Sequence, residues 1–146
     1  MKIVLQRVSQ ASVTVEGQIV GQIGPGLLVL FGVEKEDTES QLDYFVGKLL
    51  KLRVFYDEQG KMNRSVQDIN GGLLIVSQFT LAGECRKGNR PGFDNAKAPD
   101  EAKRLYNRFV EKLREASTLT IETGLFGAHM DVALINDGPV TFILEQ

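Results

Sequence analysis

Two stretches of the chain, and only two, space their apolar residues as an amphipathic helix requires. In residues 42–50 and 102–113 the apolar side chains recur at intervals of three and four, which places them on one helical face. The other apolar segments either alternate every second residue or are apolar throughout, as strands are. Because these strands do not alternate regularly with helices, the pattern indicates an α+β fold rather than a doubly wound parallel sheet.

Turn residues and helix starts give the predicted elements their limits. Thr38 and Gln41 fit a capping box before the first helical stripe, and Pro99 followed by two acidic residues suits the first turn of the second helix. Glycines, prolines and polar clusters separate the apolar segments. The strands predicted in this way cover residues 3–8, 12–15, 18–20, 26–33, 52–56, 72–81, 119–122, 130–135 and 140–144.

The chain carries few of the residues that common catalytic motifs use. Its 146 residues predict one domain over residues 1–146. One Cys and one His exclude a disulfide framework and a Cys/His zinc site, and leave Cys85 with His129 as the sole combination for a Cys–His dyad. We interpret Cys85 as incidental and His129 as satisfied or exposed. We therefore expect no metal and no cofactor, and chemistry carried by hydroxyls, carboxylates, amides, basic groups and the backbone.

The net charge of −2 hides an uneven distribution. Residues 83–114 contain nine Lys and Arg against five Asp and Glu, so this segment is +4 and the remainder is −6. A basic segment on an acidic body is a candidate surface for phosphate or nucleic acid. The alternative is a solvated basic helix, which charge alone does not exclude.

The first residues show no targeting signal. The short apolar run at the start is interrupted by Gln6 and Arg7. Nothing in the sequence approaches the roughly 20 apolar residues that span a bilayer. We expect a cytoplasmic protein that does not associate with a membrane.

Two polar motifs interrupt the apolar pattern. Ser77, Gln78 and Thr80 stand where a long apolar strand reaches a basic, glycine-rich loop, and such groups suit a small polar pocket. They would equally serve to pair backbone groups at the strand end. The second motif, residues 136–139 with Gly138 and Pro139, is a turn between two strands or a recognition element, since Gly permits close backbone approach and Pro a cis bond.

Four segments together make the chain resemble the D-aminoacyl-tRNA deacylases. These are Gln6-Arg7-Val8 followed by Ala11-Ser12-Val13, then Ser77-Gln78-Phe79-Thr80-Leu81, then Arg90-Pro91, and finally Asn136-Asp137-Gly138-Pro139-Val140-Thr141. The resemblance covers essentially the full length. Gly92 departs from it, because Ser is expected after Arg90-Pro91 in this family.

The resemblance implies a homodimer of barrel-like, β-rich subunits, each with two helices. It implies an active site at the dimer interface, formed by Ser77, Gln78, Phe79 and Thr80. By the family pattern the Gly138–Pro139 bond is cis, and these two residues enter the partner's pocket. There they would bind the substrate's α-ammonium group and block an L side chain, with Arg7 holding their loop in place.

The implied reaction is hydrolysis of the ester of D-aminoacyl-tRNA, which releases tRNA and the D-amino acid as chiral proofreading. The family suggests assistance by the terminal ribose 2′-hydroxyl. A steric filter would also pass glycine, so glycyl-tRNA is a predicted second substrate. Arg86, Lys87 and Arg90 are the candidate contacts to the tRNA acceptor end, and no DNA binding is expected.

Two other functions remain open. One is a non-catalytic RNA-binding module. The other is a hydrolase of small esters with Thr80 as nucleophile, although no evident base would deprotonate that hydroxyl.

Overall fold

A computed structural model describes residues 1–146 as eight strands, two α-helices and two short 3₁₀ turns. The Gln41 side-chain oxygen accepts a hydrogen bond from the Thr38 amide at 2.8 Å, as the capping-box pattern predicts. In chain order the elements are β1 (Lys2–Val15), β2 (Gln18–Ile23), β3 (Gly26–Gly32), α1 (Leu42–Lys51), β4 (Phe55–Tyr56), β5 (Met62–Arg64), β6 (Gly72–Ser77), α2 (Pro99–Ala116), β7 (Ile121–Thr123) and β8 (Asp131–Glu145).

Six of the strands form one mixed sheet that almost closes on itself. Its order is β2-β1-β3-β6-β7, and β8 pairs with β1 outside this path. The β3–β6 and β6–β7 pairs are parallel, whereas β1 is antiparallel to β2, β3 and β8. A Cβ on Gly21 of β2 would collide with the Thr123 carbonyl of β7, which shows how closely the two ends of the path approach. The predicted α+β, barrel-like fold with two helices is confirmed.

The alternation of the central strands creates two cores, one on each face of the sheet. Leu27, Val29 and Phe31 of β3 face the helices and belong to a cluster of 24 buried residues. Leu28 faces the other way, into a cluster of seven that fills the barrel. Phe31 stacks on Phe109 of α2 with ring centroids 4.5 Å apart, so β3 and α2 are fixed against each other.

The apolar stripes of both helices are buried as the sequence predicts. In α1 the buried residues include Phe45 and Leu49, and in α2 they include Phe109 and Leu113. Neither helix combines the length and apolarity that crossing a bilayer requires.

Several predicted elements differ from the structure. The strands predicted at 3–8 and 12–15 form one strand, β1, those at 130–135 and 140–144 form one strand, β8, and β5 is not predicted. The strand predicted at 52–56 is only Phe55–Tyr56, which pairs with β5 in a separate two-stranded sheet. The strand predicted at 72–81 ends at Ser77, because Phe79–Ala82 form a 3₁₀ turn. The turn predicted at 136–139 is a bulge inside the continuous strand β8, whose pairing with β1 skips from Asn136 to Thr141.

Candidate active site

A cavity of about 280 Å³ lies where β6 ends. Ser77, Gln78 and Phe79 form one part of its wall. Phe126 and Met130, from the segment that leads into β8, form another. The Ser77 end of the strand therefore borders a pocket with polar groups on a mainly apolar lining, as small-molecule sites generally have.

Close packing against β3 fixes the backbone that follows Ser77. The backbone N–H of Gln78 donates to the Phe31 carbonyl at 2.8 Å, and the backbone of Gln78 then departs from strand geometry. A Cβ on Gly32 would lie 2.8 Å from Cβ of Leu81, so glycine lets the 3₁₀ turn approach β3. Phe79 and Thr80 open this turn, and their N–H groups accordingly have no acceptor within it.

The hydroxyl groups of the motif have no activating partner. The Thr80 hydroxyl oxygen accepts a hydrogen bond from the side-chain nitrogen of Gln78, and the Thr80 side chain forms no other hydrogen bond. Thr80 does not line the cavity, whereas Ser77 does. His129 lies at the cavity but its side chain is 97% exposed, and its nearest carboxylate, Asp131, is 3.9 Å away. A Ser–His–Asp arrangement is therefore absent.

Residues 136–139, the second polar motif, form an exposed bulge whose shape is held by hydrogen bonds. The Gly138–Pro139 peptide bond is cis, and both residues are exposed. The Asn136 side chain closes the bulge, since its oxygen accepts from the Val140 amide at 2.8 Å and its nitrogen donates to the Val140 carbonyl at 3.2 Å. A Cβ on Gly138 would collide with the Val140 backbone nitrogen, so only glycine fits here.

Arg7 contacts this bulge from below the surface. Although it is charged, its side chain is only 2% exposed. Its Nε donates to the Asp137 carbonyl at 2.8 Å, and Nη1 donates to the Val54 carbonyl at 2.6 Å. The guanidinium also lies 4.4 Å from the centre of the Tyr56 ring. The bulge is thus tied to the protein interior through one side chain.

The two motifs do not meet within one chain. Gly138, Pro139 and Arg7 are absent from the wall of the cavity that Ser77 to Phe79 line.

The loop that follows the cavity carries the three candidate tRNA contacts. Arg86 is 90% exposed and lies 3.3 Å from the Glu84 carboxylate. Lys87 and Arg90 are exposed and form no ion pair. Gly92 pairs with Glu84 through backbone hydrogen bonds, and a Cβ at Gly92 would meet nothing within 4 Å. The departure from Ser at this position therefore has no steric cause in this chain.

Several residues of the cavity wall are not predicted as site residues by the sequence. Phe126 lies between Gly124 and Gly127, where a lone aromatic residue is a weak signal, and Met130 was expected to begin the strand predicted at 130–135, which the structure begins at Asp131. Tyr106 lies within the predicted apolar stripe at 102–113, yet its hydroxyl donates to the Ile75 carbonyl at 2.8 Å and the residue lines the cavity. Burial raises the pKa of Tyr106 to about 12, so it stays neutral.

The barrel-like fold, the cavity at the end of β6 and the pinned Gly138–Pro139 bulge define a class of protein that comparison with known sequences identifies. A model of a protein family, described as D-Tyr-tRNA(Tyr) deacylase, matches residues 4–145. The chain belongs to this family of deacylases, which act on ester bonds, and the resemblance noted in the sequence is confirmed.

Individual proteins similar to this chain carry the name of the same family. A D-aminoacyl-tRNA deacylase of Symbiobacterium thermophilum is 57% identical over 100% of this chain and 96% of its own length. One of Stenotrophomonas maltophilia (strain K279a) is 60% identical over 99% of each chain.

Two solved structures are also similar. One, titled c-Myc DNA Unwinding Element Binding Protein, has a TM-score of 0.94 and 48% identity over 100% of this chain and 99% of that one. The other, titled as a probable eukaryotic D-amino acid tRNA deacylase, has a TM-score of 0.80 at 22% identity over 98% and 97%, and it shows the fold alone.

Proposed function

We propose that this protein hydrolyses the ester of D-aminoacyl-tRNA, releasing tRNA and the D-amino acid. The observation that carries the proposal is the cavity at the Ser77 end of β6, bordered by a turn whose leading N–H groups have no partner in that turn. An aminoacyl ester is already an activated acyl group, so a site that orients it and stabilises charge suffices without a strong nucleophile.

In this mechanism the catalytic residues Ser77, Gln78, Phe79 and Thr80 act through position and backbone. The N–H groups of Phe79 and Thr80 stabilise the oxyanion that develops on the ester carbonyl. Water attacks the carbonyl carbon and gives up a proton, the bond from that carbon to the ribose 3′-oxygen breaks, and the 3′-oxygen takes up a proton with assistance from the vicinal 2′-hydroxyl. Thr80 as a covalent nucleophile is less favoured, because its hydroxyl contacts an amide and no base.

Chirality is selected by Gly138 and Pro139 of a second subunit. Their bulge is exposed, tied down by Arg7 and Asn136, and outside the cavity of its own chain. A rigid backbone wall of this kind excludes the wrong hand more sharply than differential affinity for a small side chain does. Glycine has no side chain to exclude, so glycyl-tRNA is a second substrate.

A homodimer is supported by strand β8. This strand pairs with β1 alone and leaves its other edge unpaired along 15 residues. Ile135, Phe142 and Ile143 of β8 are 54%, 39% and 66% exposed. An unpaired edge with apolar side chains is a liability that a second copy removes by covering it.

The acceptor end is held through its phosphates by Lys87 and Arg90, with a smaller part for Arg86, whose charge faces Glu84. Phe79 and Phe93 are exposed, with ring centroids 5.1 Å apart, and they offer a surface on which a base can stack. Charged tRNA is a cytoplasmic substrate, so we expect the protein to act there.

The test is a deacylation assay with paired D-tyrosyl-tRNA and L-tyrosyl-tRNA, followed by glycyl-tRNA. We expect fast release from the D ester and from glycyl-tRNA, and little from the L ester. Equal rates on D and L esters would refute the chiral filter. Binding without release would favour the RNA-binding module, and equal rates on free D-amino-acid esters and charged tRNA would favour the small-ester hydrolase.

Two controls complete the assay. Because one solved relative is titled as a DNA-binding protein, excess duplex DNA is added as competitor, and no inhibition is expected. Sedimentation of the purified protein tests the dimer, and a monomer that retains full selectivity would contradict a filter supplied by a second subunit.

A further inference from the structure

Helix α2 carries basic residues on two faces, and the charges of one face are already neutralised. Arg104 and Arg108 each pair with Glu39, at 3.1 and 3.2 Å, and Lys112 lies 2.7 Å from the Asp43 carboxylate. Arg108 forms two further ion pairs on the helix itself. This face is therefore directed at the acidic residues before and within α1, and little of its charge remains for a polyanion.

The other face of α2 keeps its cations free. Lys103 and Arg114 are exposed, and neither forms an ion pair. Together with Asn107 they line a groove of about 300 Å³ between α2 and residues 123–126. Arg114 donates to the Ile121 carbonyl at 3.4 Å, which holds its guanidinium at the groove. Glu111 also lines the groove, but its carboxylate is engaged by Arg108.

The groove leads away from the active site. It shares Tyr106 and Phe126 with the cavity at the end of β6. Lys103 directly follows Ala102, which lines that cavity, whereas Arg114 lies about 16 Å further along the helix axis, at about 1.5 Å per residue. A ligand strand that runs from the cavity along this groove would pass Lys103 first and Arg114 second.

We infer that this groove binds the phosphates of the tRNA strand whose ester occupies the active site. The inference rests on the proposed function, because the polyanion is the remainder of that substrate. Lys103 contacts the phosphate nearer the ester, Arg114 contacts one further along the strand, and Asn107 donates a hydrogen bond between them. Arg is suited to the outer position, since its planar guanidinium holds a phosphate through two parallel hydrogen bonds.

The experiment compares variants of the two helix faces. Lys103→Ala and Arg114→Ala remove the free cations, and Lys112→Ala and Arg104→Ala remove paired cations from the same helix. Deacylation of D-tyrosyl-tRNA is measured between 50 and 200 mM salt, beside hydrolysis of the D-tyrosyl ester of adenosine, which has no phosphate.

For each free-face variant we expect the slope of log(kcat/KM) against log[salt] to fall in magnitude by about 0.7 to 0.9, the value of one phosphate contact. We also expect the preference for charged tRNA over the adenosine ester to fall about threefold. The paired-face variants keep the wild-type slope and preference. Arg114→Lys, which retains the charge, keeps the slope even if Arg114→Ala folds poorly.

Salt slopes that are the same for all four alanine variants would overturn the inference, as would a larger change for the paired face. Failure of the proposed function is a separate outcome, in which the unaltered protein hydrolyses neither the charged tRNA nor the adenosine ester. If the unaltered protein hydrolyses both the charged tRNA and the adenosine ester, but the salt slopes of the two sets of variants do not differ, the proposed function stands and the inference that the groove binds phosphates is wrong.

Discussion

Replacing Arg7 by Met removes a buried guanidinium and leaves a long apolar side chain in its place. Arg7 donates to two carbonyls, those of Asp137 and Val54, and lies over the Tyr56 ring. Each carbonyl left without its donor costs about 1 to 3 kcal/mol. Loss of the cation–π contact adds about 1 kcal/mol, and relief of the desolvation of the charge offsets part of the total.

The expected net loss is about 3 to 4 kcal/mol of the free energy of unfolding. At about 3 °C per kcal/mol for a chain of this size, Tm falls by about 9 to 12 °C. Because the bulge loses its tie to the interior, the ratio of kcat/KM for D-tyrosyl-tRNA to that for L-tyrosyl-tRNA should fall about tenfold, which corresponds to about 1.4 kcal/mol.

The assay needs thermal unfolding at one fixed protein concentration and both charged tRNAs. Arg53→Met is the matched control, since Arg53 is exposed and its loss should change stability by less than about 0.5 kcal/mol. Arg7→Lys retains the charge without the planar fork and should fall between the two. A Tm of Arg7→Met within about 2 °C of the control would refute the calculation. A lowered Tm with an unchanged D/L ratio would refute only the role in selectivity.

Three further variants test separate parts of the site. Thr80→Val keeps the branched shape without the hydroxyl, so kcat should stay within about threefold of wild type, and a loss of about a thousandfold or more would establish a nucleophile. Gly138→Ala places a Cβ 2.6 Å from Cγ2 of Val140 and should lower the D/L ratio, whereas Gly92→Ala, whose Cβ meets nothing within 4 Å, should not; equal effects would contradict the steric argument. Burial raises the pKa of Tyr106 to about 12, above its ordinary value near 10, so the unfolded chain binds fewer protons between these values and stability falls as pH rises from about 10 to 12. Chemical denaturation should therefore show a shallower fall for Tyr106→Phe in that pH range, and identical pH profiles would contradict the assignment.

The elements that local pattern defines were predicted well. The stripes at 42–50 and 102–113 became the buried faces of α1 and α2, because an apolar face that repeats over about two to three helical turns leaves water only by packing against the core. The apolar strands β3 and β6 were also found, since they are covered on both faces.

The end of strand β6 and the bulge at 136–139 could not be predicted from the local sequence pattern. The apolar residues after Ser77 continue the strand pattern, yet Gln78 turns away as the 3₁₀ segment packs against Gly32. Residues 136–139 look like a turn in sequence, but β1 continues beside them and pairs with β8 on both sides. Pairing with a strand more than a hundred residues away decided that outcome.

The sequence alone determined that the chain has an α+β fold, two amphipathic helices, almost no imidazole or thiol chemistry, and two polar motifs with the residues of a deacylase. Only the tertiary structure decided which charges of α2 are free, because pairing of Arg104, Arg108 and Lys112 depends on Glu39 and Asp43, which lie about 60 to 70 positions earlier in the chain. It also decided that the Ser77 cavity and the Gly138–Pro139 bulge are separate within one chain. Composition and spacing describe neighbours along the chain, whereas charge pairing and site assembly depend on neighbours in space.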